Sequence, residues 1–257
     1  MPTILFEVKE NVAIITLNRP EKFNAFNREM ALLLQSKLDD CAADKNIRAI
    51  YITATGKAFS SGQDLTEATS GTLDIEKAVT ENYNPIVTKI RTIDLPVVCA
   101  VNGAAAGAGA NIALCGDIVV AAESAFFTQA FSKIGLIPDC SGTFILPRLI
   151  GFQKATALMM LGDKVTATEA EKLGMIYKVF PDESFIDESI KIAIMLSRLP
   201  TKALAYTKQA LNASINNSLE QQLIIESQLQ TKAAQTSDFK EGIAAFLEKR
   251  LPQFKGE

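Results

Sequence analysis

Histidine is missing from all 257 residues. Without an imidazole there is no Ser-His-Asp or Cys-His machinery, so any proton transfer falls to a carboxylate, lysine, tyrosine or cysteine. The same absence leaves the four cysteines, Cys41, Cys99, Cys115 and Cys140, with no histidine to complete a zinc site, and no two of them stand in C-x-x-C spacing. Reduced thiols in the core or in loops are expected, and no metal. Blocks of lysine or arginine are also missing, and the net charge is -3. The electrostatic footprint of a nucleic-acid or anionic-membrane binder is therefore absent. The opening "MPTILFEVKE" has no basic lead followed by an apolar core; it reads as a strand, and a cytoplasmic protein is expected.

Two nucleotide motifs are lacking as well. Gly107-Ala108-Gly109 is followed by Ile112 where a dinucleotide fingerprint needs its third glycine, and no G-x-x-x-x-G-K-[ST] loop occurs. A long uncharged run does exist, "LPVVCAVNGAAAGAGANIALCG", from Leu95 to Gly116. Pro96, Asn102 and four glycines punctuate it, so it reads as a buried strand, a glycine-rich turn and a buried helix from about Gly107, not as a membrane span.

What is present is an alternation of strands and helices. "TILFEVKE" and "VAIITLNRP" predict a hairpin closed near Glu10 and Asn11. "NREMALLLQSKLDDCAAD" has helical periodicity, "RAIYITATG" is a β-branched strand, a helix follows near 75–92, and "PVVCAV", "DIVVAAE" and "AFFTQ" are further strands. Strands joined through helices favour a mostly parallel sheet in an α/β body, which a domain over 1–195 accommodates. From about residue 150 the pattern is helical apart from the short strand in "GMIYKVFP", and residues 196–257 form a helical C-terminal region. Its stripe Leu219, Leu223, Ile224 and Leu229 fits either a neighbouring helix or another subunit.

Two glycine-rich turns follow strands: "GKAFSSGQDL" and "NGAAAGAGANIA". Such turns expose backbone N–H groups that neither sheet nor helix has claimed, and two of them together can hold an oxyanion. Close packing alone would also explain them. A lone carboxylate, Asp139, sits in the apolar run "KIGLIPDCSGTFILPRLIG". It reads either as a cap for the helix that follows, with Ser141 an alternative cap, or as a buried general base.

Taken in order, "LNRPEKFNAF", "GKAFSSGQDL", "PVVCAVNGAAAGAGANIALCGDIVVAAESAFF", "KIGLIPDCSGTFILPRLIG" and "EGIAAFLEKRLPQF" resemble the crotonase superfamily of enoyl-CoA hydratases and isomerases over essentially the whole chain. "GLIPD", the small-residue turn with "LPR" after it, and "AFLEKRLPQF" are most similar to its ring-1,2-epoxyphenylacetyl-CoA isomerase branch. The resemblance implies a crotonase spiral of strand-strand-helix units with a helical trimerisation region, assembled as a homotrimer or homohexamer. It implies an acyl-CoA thioester substrate and no separate cofactor, coenzyme A being part of the substrate.

By motif position, the thioester oxygen would lie between the N–H groups of Gln63 and Ala108, beside Gly107. Hydratases of this family use two glutamates; this chain has Asn111 and Phe131 in their places, which would line the substrate without ionising. Isomerase branches carry an acid where Asp139 stands, so Asp139 is implied to shuttle a proton with its own proton affinity raised by apolar surroundings. Lys22, Phe23 and Ala25 are implied to lie along coenzyme A, Asp64 and Leu65 beside its nucleotide, and Lys249 near a phosphate, including one bound by a neighbouring subunit. Three other readings stay open: an enoyl-CoA hydratase, a thioester-directed hydrolase or dehalogenase with Asp139 as nucleophile, and a non-catalytic acyl-CoA-binding scaffold. The missing glutamates disfavour the first, the missing histidine the second, and the retained Asp139 and glycine turns the third.

Overall fold

The computed structural model describes residues 2–66 and 74–257. Strands β1 (Ile4–Lys9) and β2 (Val12–Leu17) form the expected antiparallel hairpin. Its turn residues Glu10 and Asn11 both take positive φ, 49° and 61°, as the two-residue turn matched to strand twist requires. Helix α1 (Arg28–Ala43) starts at Asn27, whose side chain accepts from Met30 N. Met30, Ala31, Leu34, Leu38 and Cys41 recur at helical spacing and are its buried face.

Strand β3 (Ala49–Ala54) lies parallel to β2, and β4 (Ala58–Ser60) follows it. A helical turn Ile75–Lys77 and a π-helical stretch Ala78–Tyr83 lead into α2 (Asn84–Thr92), as the sequence predicts over 75–92. The uncharged run then divides into β5 (Val97–Val101), β6 (Ala104–Ala106) and α3 (Ala108–Leu114). Every residue of β3 and β5 is buried, the mark of parallel strands covered on both faces. Strands β7 (Ile118–Ala122) and β8 (Phe126–Thr128) repeat the step. Helices α4 (Gly142–Ile150) and α5 (Phe152–Leu161), strand β9 (Lys164–Thr166), helix α6 (Ala167–Lys172) and strand β10 (Lys178–Phe180) complete the body.

The strands form two sheets, a six-stranded one in the order β1-β2-β3-β5-β7-β10 and a four-stranded one in the order β4-β6-β8-β9. Each of β3, β5 and β7 is followed by a short strand in the second sheet and then by helix, so the chain winds as strand-strand-helix units. This is the spiral the resemblance implies. β4, β6 and β9 are three-residue strands that the sequence reading leaves inside turns or helices; three residues are too few for an alternation to show.

Helix α7 (Phe185–Ser197) packs on the large sheet and carries Ser189, whose hydroxyl bonds Tyr51 Oη at 2.7 Å. It therefore runs through the boundary expected at residue 195 and belongs with the body. Helix α8 (Thr201–Ser214) is tied to the body by Lys208, whose ammonium donates to Asp117 at 2.8 Å and to the Leu95 carbonyl at 3.2 Å. Helices α9 (Leu219–Ala234) and α10 (Ser237–Glu248) follow. α9 packs on α8 but buries no residue fully; of its stripe Leu229 is half-buried, whereas Leu219, Leu223 and Ile224 stay exposed among the described residues. All four cysteines are free and buried, and no described helix is long and apolar enough to cross a membrane.

Candidate active site

The first glycine turn is stitched to the segment 19–26. Phe26 N donates to the Gly62 carbonyl at 2.7 Å and Asp64 N donates to the Phe26 carbonyl at 2.9 Å. This parallel bridge uses the groups on either side of Gln63, so the Gln63 N–H points away from it. Among the described residues that N–H has no acceptor. Ala108 opens α3, and its N–H is one that a helix start leaves without an internal acceptor.

The two turns meet at Gly62, whose φ is 92°. A Cβ built there would stand 2.9 Å from the Ala106 carbonyl oxygen and 3.4 Å from Ala108 N. Only glycine permits that approach, and the approach brings the donor of one turn beside the donor of the other.

Asp64, next to Gln63, is 5% exposed and paired with Arg19 at 2.9 Å. Arg19 also donates to the Ala25 carbonyl, and its own N–H reaches Asn24 Oδ1. Burial disfavours the Asp64 carboxylate, but hydrogen bonds from Thr66 and Arg19 outweigh it and hold its proton affinity below the ordinary aspartate range. The carboxylate is thus engaged inside the protein by Arg19 and Thr66, next to the turn that carries Gln63. Lys22, Phe23 and Leu65 are exposed around this turn, whereas Ala25 is buried with both backbone groups engaged.

Asp139 lies between a 3-10 turn, Ala130–Ile134, and α4. It does not cap the helix. Ser141 occupies the cap position with a left-handed backbone, yet its hydroxyl meets Cys115 Sγ at 3.2 Å and not a helix N–H. It is the main-chain carbonyl of Asp139, not its side chain, that serves the helix start, accepting from Gly142 N at 2.8 Å. Asp139 Oδ1 is buried with no hydrogen-bond partner. Burial raises the proton affinity of this carboxyl above the ordinary aspartate value, while hydrogen bonding from the adjacent Cys140 thiol and from the main chain pulls the other way without cancelling it.

Phe131 is buried, and its ring stands 3.6 Å from where a Cβ on Gly107 would be, so an apolar surface faces the second turn. Asn111 is 1% exposed and engaged at both ends of its carboxamide: Nδ2 donates to the Asp139 carbonyl at 2.9 Å, and Oδ1 accepts from Gln129 Nε2 at 2.7 Å. It faces Asp139 from behind instead of offering a free group to a ligand. Gln129 has no place in the sequence reading; its one signal is a polar residue directly after the apolar strand "FFT". Lys249 is exposed at the end of α10, which packs chiefly against α9, away from these groups within one chain. Among the described residues no cluster of metal-ligating side chains occurs. The arrangement offers two N–H donors for an anion and one partly dehydrated carboxyl for proton transfer.

The sequence model of the enoyl-CoA hydratase/isomerase family matches residues 7–257. The chain belongs to this family. It is 44% identical to the Escherichia coli protein named 1,2-epoxyphenylacetyl-CoA isomerase, over 100% of both chains. It is also 44% identical to a Rhodobacter capsulatus protein named "Probable enoyl-CoA hydratase", over 99% of this chain and 98% of the other. The crystal structure of an enoyl-CoA hydratase from Bacillus anthracis superposes with a TM-score of 0.93 at 32% identity, covering 99% of this chain and 100% of that one. The crotonase fold is thereby established, and the family's two reaction types, hydration and isomerisation, are represented at equal identity.

Proposed function

We propose that this family member is an acyl-CoA isomerase in which Asp139 moves a proton while Gln63 N–H and Ala108 N–H hold the thioester oxygen. The observation that carries the proposal is Asp139 Oδ1, a buried carboxylate oxygen without a hydrogen-bond partner. Buried polar atoms are nearly always satisfied, and an exception calls for a ligand, a water or a catalytic role. With a 3-enoyl-CoA, the carboxylate takes a proton from C2. The electron pair passes through the thioester as a dienolate whose oxygen sits on the two N–H groups, and Asp139 returns the proton at C4, leaving the double bond between C2 and C3. Preorganised donors stabilise such charge as it develops, each contributing ~10²–10³ in rate.

Hydration asks instead for two carboxylates around one water. Asn111, with its carboxamide engaged, and the Phe131 ring do not supply them. Hydrolysis or dehalogenation through Asp139 as nucleophile would lack a histidine to activate water. The resemblance to the E. coli 1,2-epoxyphenylacetyl-CoA isomerase favours an aromatic epoxide as a second substrate for the same enolate-holding site. Lys22 and Phe23, exposed beside the Gln63 turn, are the proposed coenzyme A contacts, and Lys249 a phosphate contact from a neighbouring subunit. The uncovered apolar side chains of α9 and α10 support a homotrimer or homohexamer.

A panel of aliphatic and aromatic acyl-CoAs, read by thermal shift and by turnover, tests this. Conversion of 3-enoyl-CoA to 2-enoyl-CoA is expected. Brisk hydration of crotonyl-CoA would refute the argument from Asn111 and Phe131, and failure of every acyl-CoA to raise the melting temperature would favour a scaffold.

A further inference from the structure

Behind Asp139 lies a chain of two buried carboxamides. Gln129, 2% exposed, donates through Nε2 to Asn111 Oδ1, and Asn111 Nδ2 donates to the Asp139 main-chain carbonyl. Asn111 sits one turn into α3, its N–H bonded to the Gly107 carbonyl at 3.1 Å. It is therefore part of the helix whose first N–H, that of Ala108, is the proposed oxyanion donor. The fit on the loop side is close: a Cβ on Gly142 would fall 2.3 Å from Asn111 Nδ2. Resting on the isomerase reading above, we propose that Asn111 and Gln129 are positioning residues, a carboxamide relay that fixes the Asp139 loop against Ala108 N–H.

The direction of the relay is set by chemistry. The Asp139 carbonyl can only accept, so Asn111 must turn Nδ2 toward it and Oδ1 away. Oδ1 then needs a donor, which only the Nε2 end of Gln129 supplies, and Gln129 Oε1 is left buried with no partner. Without Gln129, Asn111 Oδ1 is left buried with no donor, and the amide loses one of the two bonds that hold it against the Asp139 carbonyl. An apolar residue at 129 would remove the unpaired Oε1 but leave Asn111 Oδ1 unpaired in its place, so the net gain in stability from the glutamine is small. The rest of the loop supplies little constraint. Gly135, Cys140 and Ser141 have positive φ, Ile137 is 79% exposed, and its main-chain bonds lie at its two ends, Leu136 N to Phe131 O and Gly142 N to Asp139 O.

Gln129→Met keeps the volume and removes the donor. We expect kcat for 3-enoyl-CoA to fall roughly 10²-fold, the penalty of an ångström-scale misplacement, with KM little changed. The acidic limb of kcat should also move to lower pH, because a loosened Asp139 is better hydrated and binds its proton less tightly. Cys140 is the one titratable neighbour acting on that carboxyl among the described residues. A purely structural Gln129 would change the melting temperature and leave the limb where it was. If the Met variant does not fold, Asn111→Ser cuts the relay by shortening it and is read by the same measurements. Wild-type kcat with an unmoved limb, or a rise in KM alone, overturns the relay while an active, Asp139-dependent wild type leaves the isomerase reading intact. A wild type that isomerises no acyl-CoA overturns both.

Discussion

Asp139→Asn separates catalysis from stability, because the same feature acts on both with opposite sign. The substitution keeps the shape of the side chain and removes the base. With the N–H donors of Gln63 and Ala108 untouched, kcat for 3-enoyl-CoA should fall ~10²–10⁴-fold, the usual contribution of a positioned base, and acyl-CoA binding should persist. Stability should move the other way. Burial raises the proton affinity of Asp139 in the folded chain above its unfolded value, so the native state binds the proton more tightly. Stability contributed by this group is present below the unfolded aspartate value and is lost as pH rises through the folded value. Asparagine removes that loss. Leaving a buried acceptor unsatisfied costs about 1–3 kcal/mol, more when charged, and relieving the charge should return on the order of 1 kcal/mol, or about 2–4 °C in Tm for a chain of this size. The assays are the ultraviolet absorbance of the conjugated enoyl thioester and thermal unfolding at several pH values. The variant and wild-type melts should converge at acid pH and separate at neutral pH with the variant higher. A variant that keeps more than a tenth of the activity, or melts well below wild type at pH 7, refutes the reasoning.

Three further outcomes follow from the same geometry. Gly62→Ala forces a Cβ against the Ala106 carbonyl at a φ of 92°. It should lower stability by about 1–3 kcal/mol in urea titrations and, by displacing the Gln63 and Ala108 donors, cut kcat by ~10²–10³. Asp64→Asn breaks the pair with Arg19 and should lower the melt by the equivalent of about 1–3 kcal/mol. If Asp64 instead met the nucleotide, KM for acyl-CoA would rise with the melt unchanged. Burial pushes the thiols up, Cys115 to about 11 and Cys41 to about 12. An aromatic disulfide reagent at pH 8 should find no reactive thiol in the native protein and four in guanidinium; fast labelling of the folded chain contradicts the burial.

What the sequence discloses here is whatever one segment can signal by itself. The Glu10-Asn11 turn, the periodicity of α1 and the glycine turns all carry local patterns, and the structure has them. Asp139 stands out because a charge in an apolar run is a local anomaly. Long-range pairing is where reading fails. The pairing of Asp64 with Arg19, 45 residues away, has no local signal. A cap at Asp139 or Ser141 is sound local chemistry, but Cys115 claims the Ser141 hydroxyl across 26 positions. The strands β4, β6 and β9 exist because neighbouring strands supply their partners, so "AAA" at 104–106 pairs with β4 and β8 despite weak intrinsic preference.

On the proposed reading, the one-base site and the two-glutamate site exclude each other for a structural reason at position 111. With Asp139 held inward, its main-chain carbonyl points at residue 111 and needs a donor there. An ionised carboxylate has none, so an acid at 111 would push the carbonyl away and unseat the loop that carries Asp139. Asn111 is then more than a lost glutamate, since its Nδ2 makes the Asp139 conformation possible. Phe131 completes the exchange: a buried ring beside Gly107 stands where a second carboxylate would be needed, and offers no base. Asn111→Asp should therefore abolish isomerisation without creating a hydratase. Measurable hydration of crotonyl-CoA by that variant, with Asp139 dispensable, would show that the two arrangements can coexist and that the carbonyl contact does not decide between them.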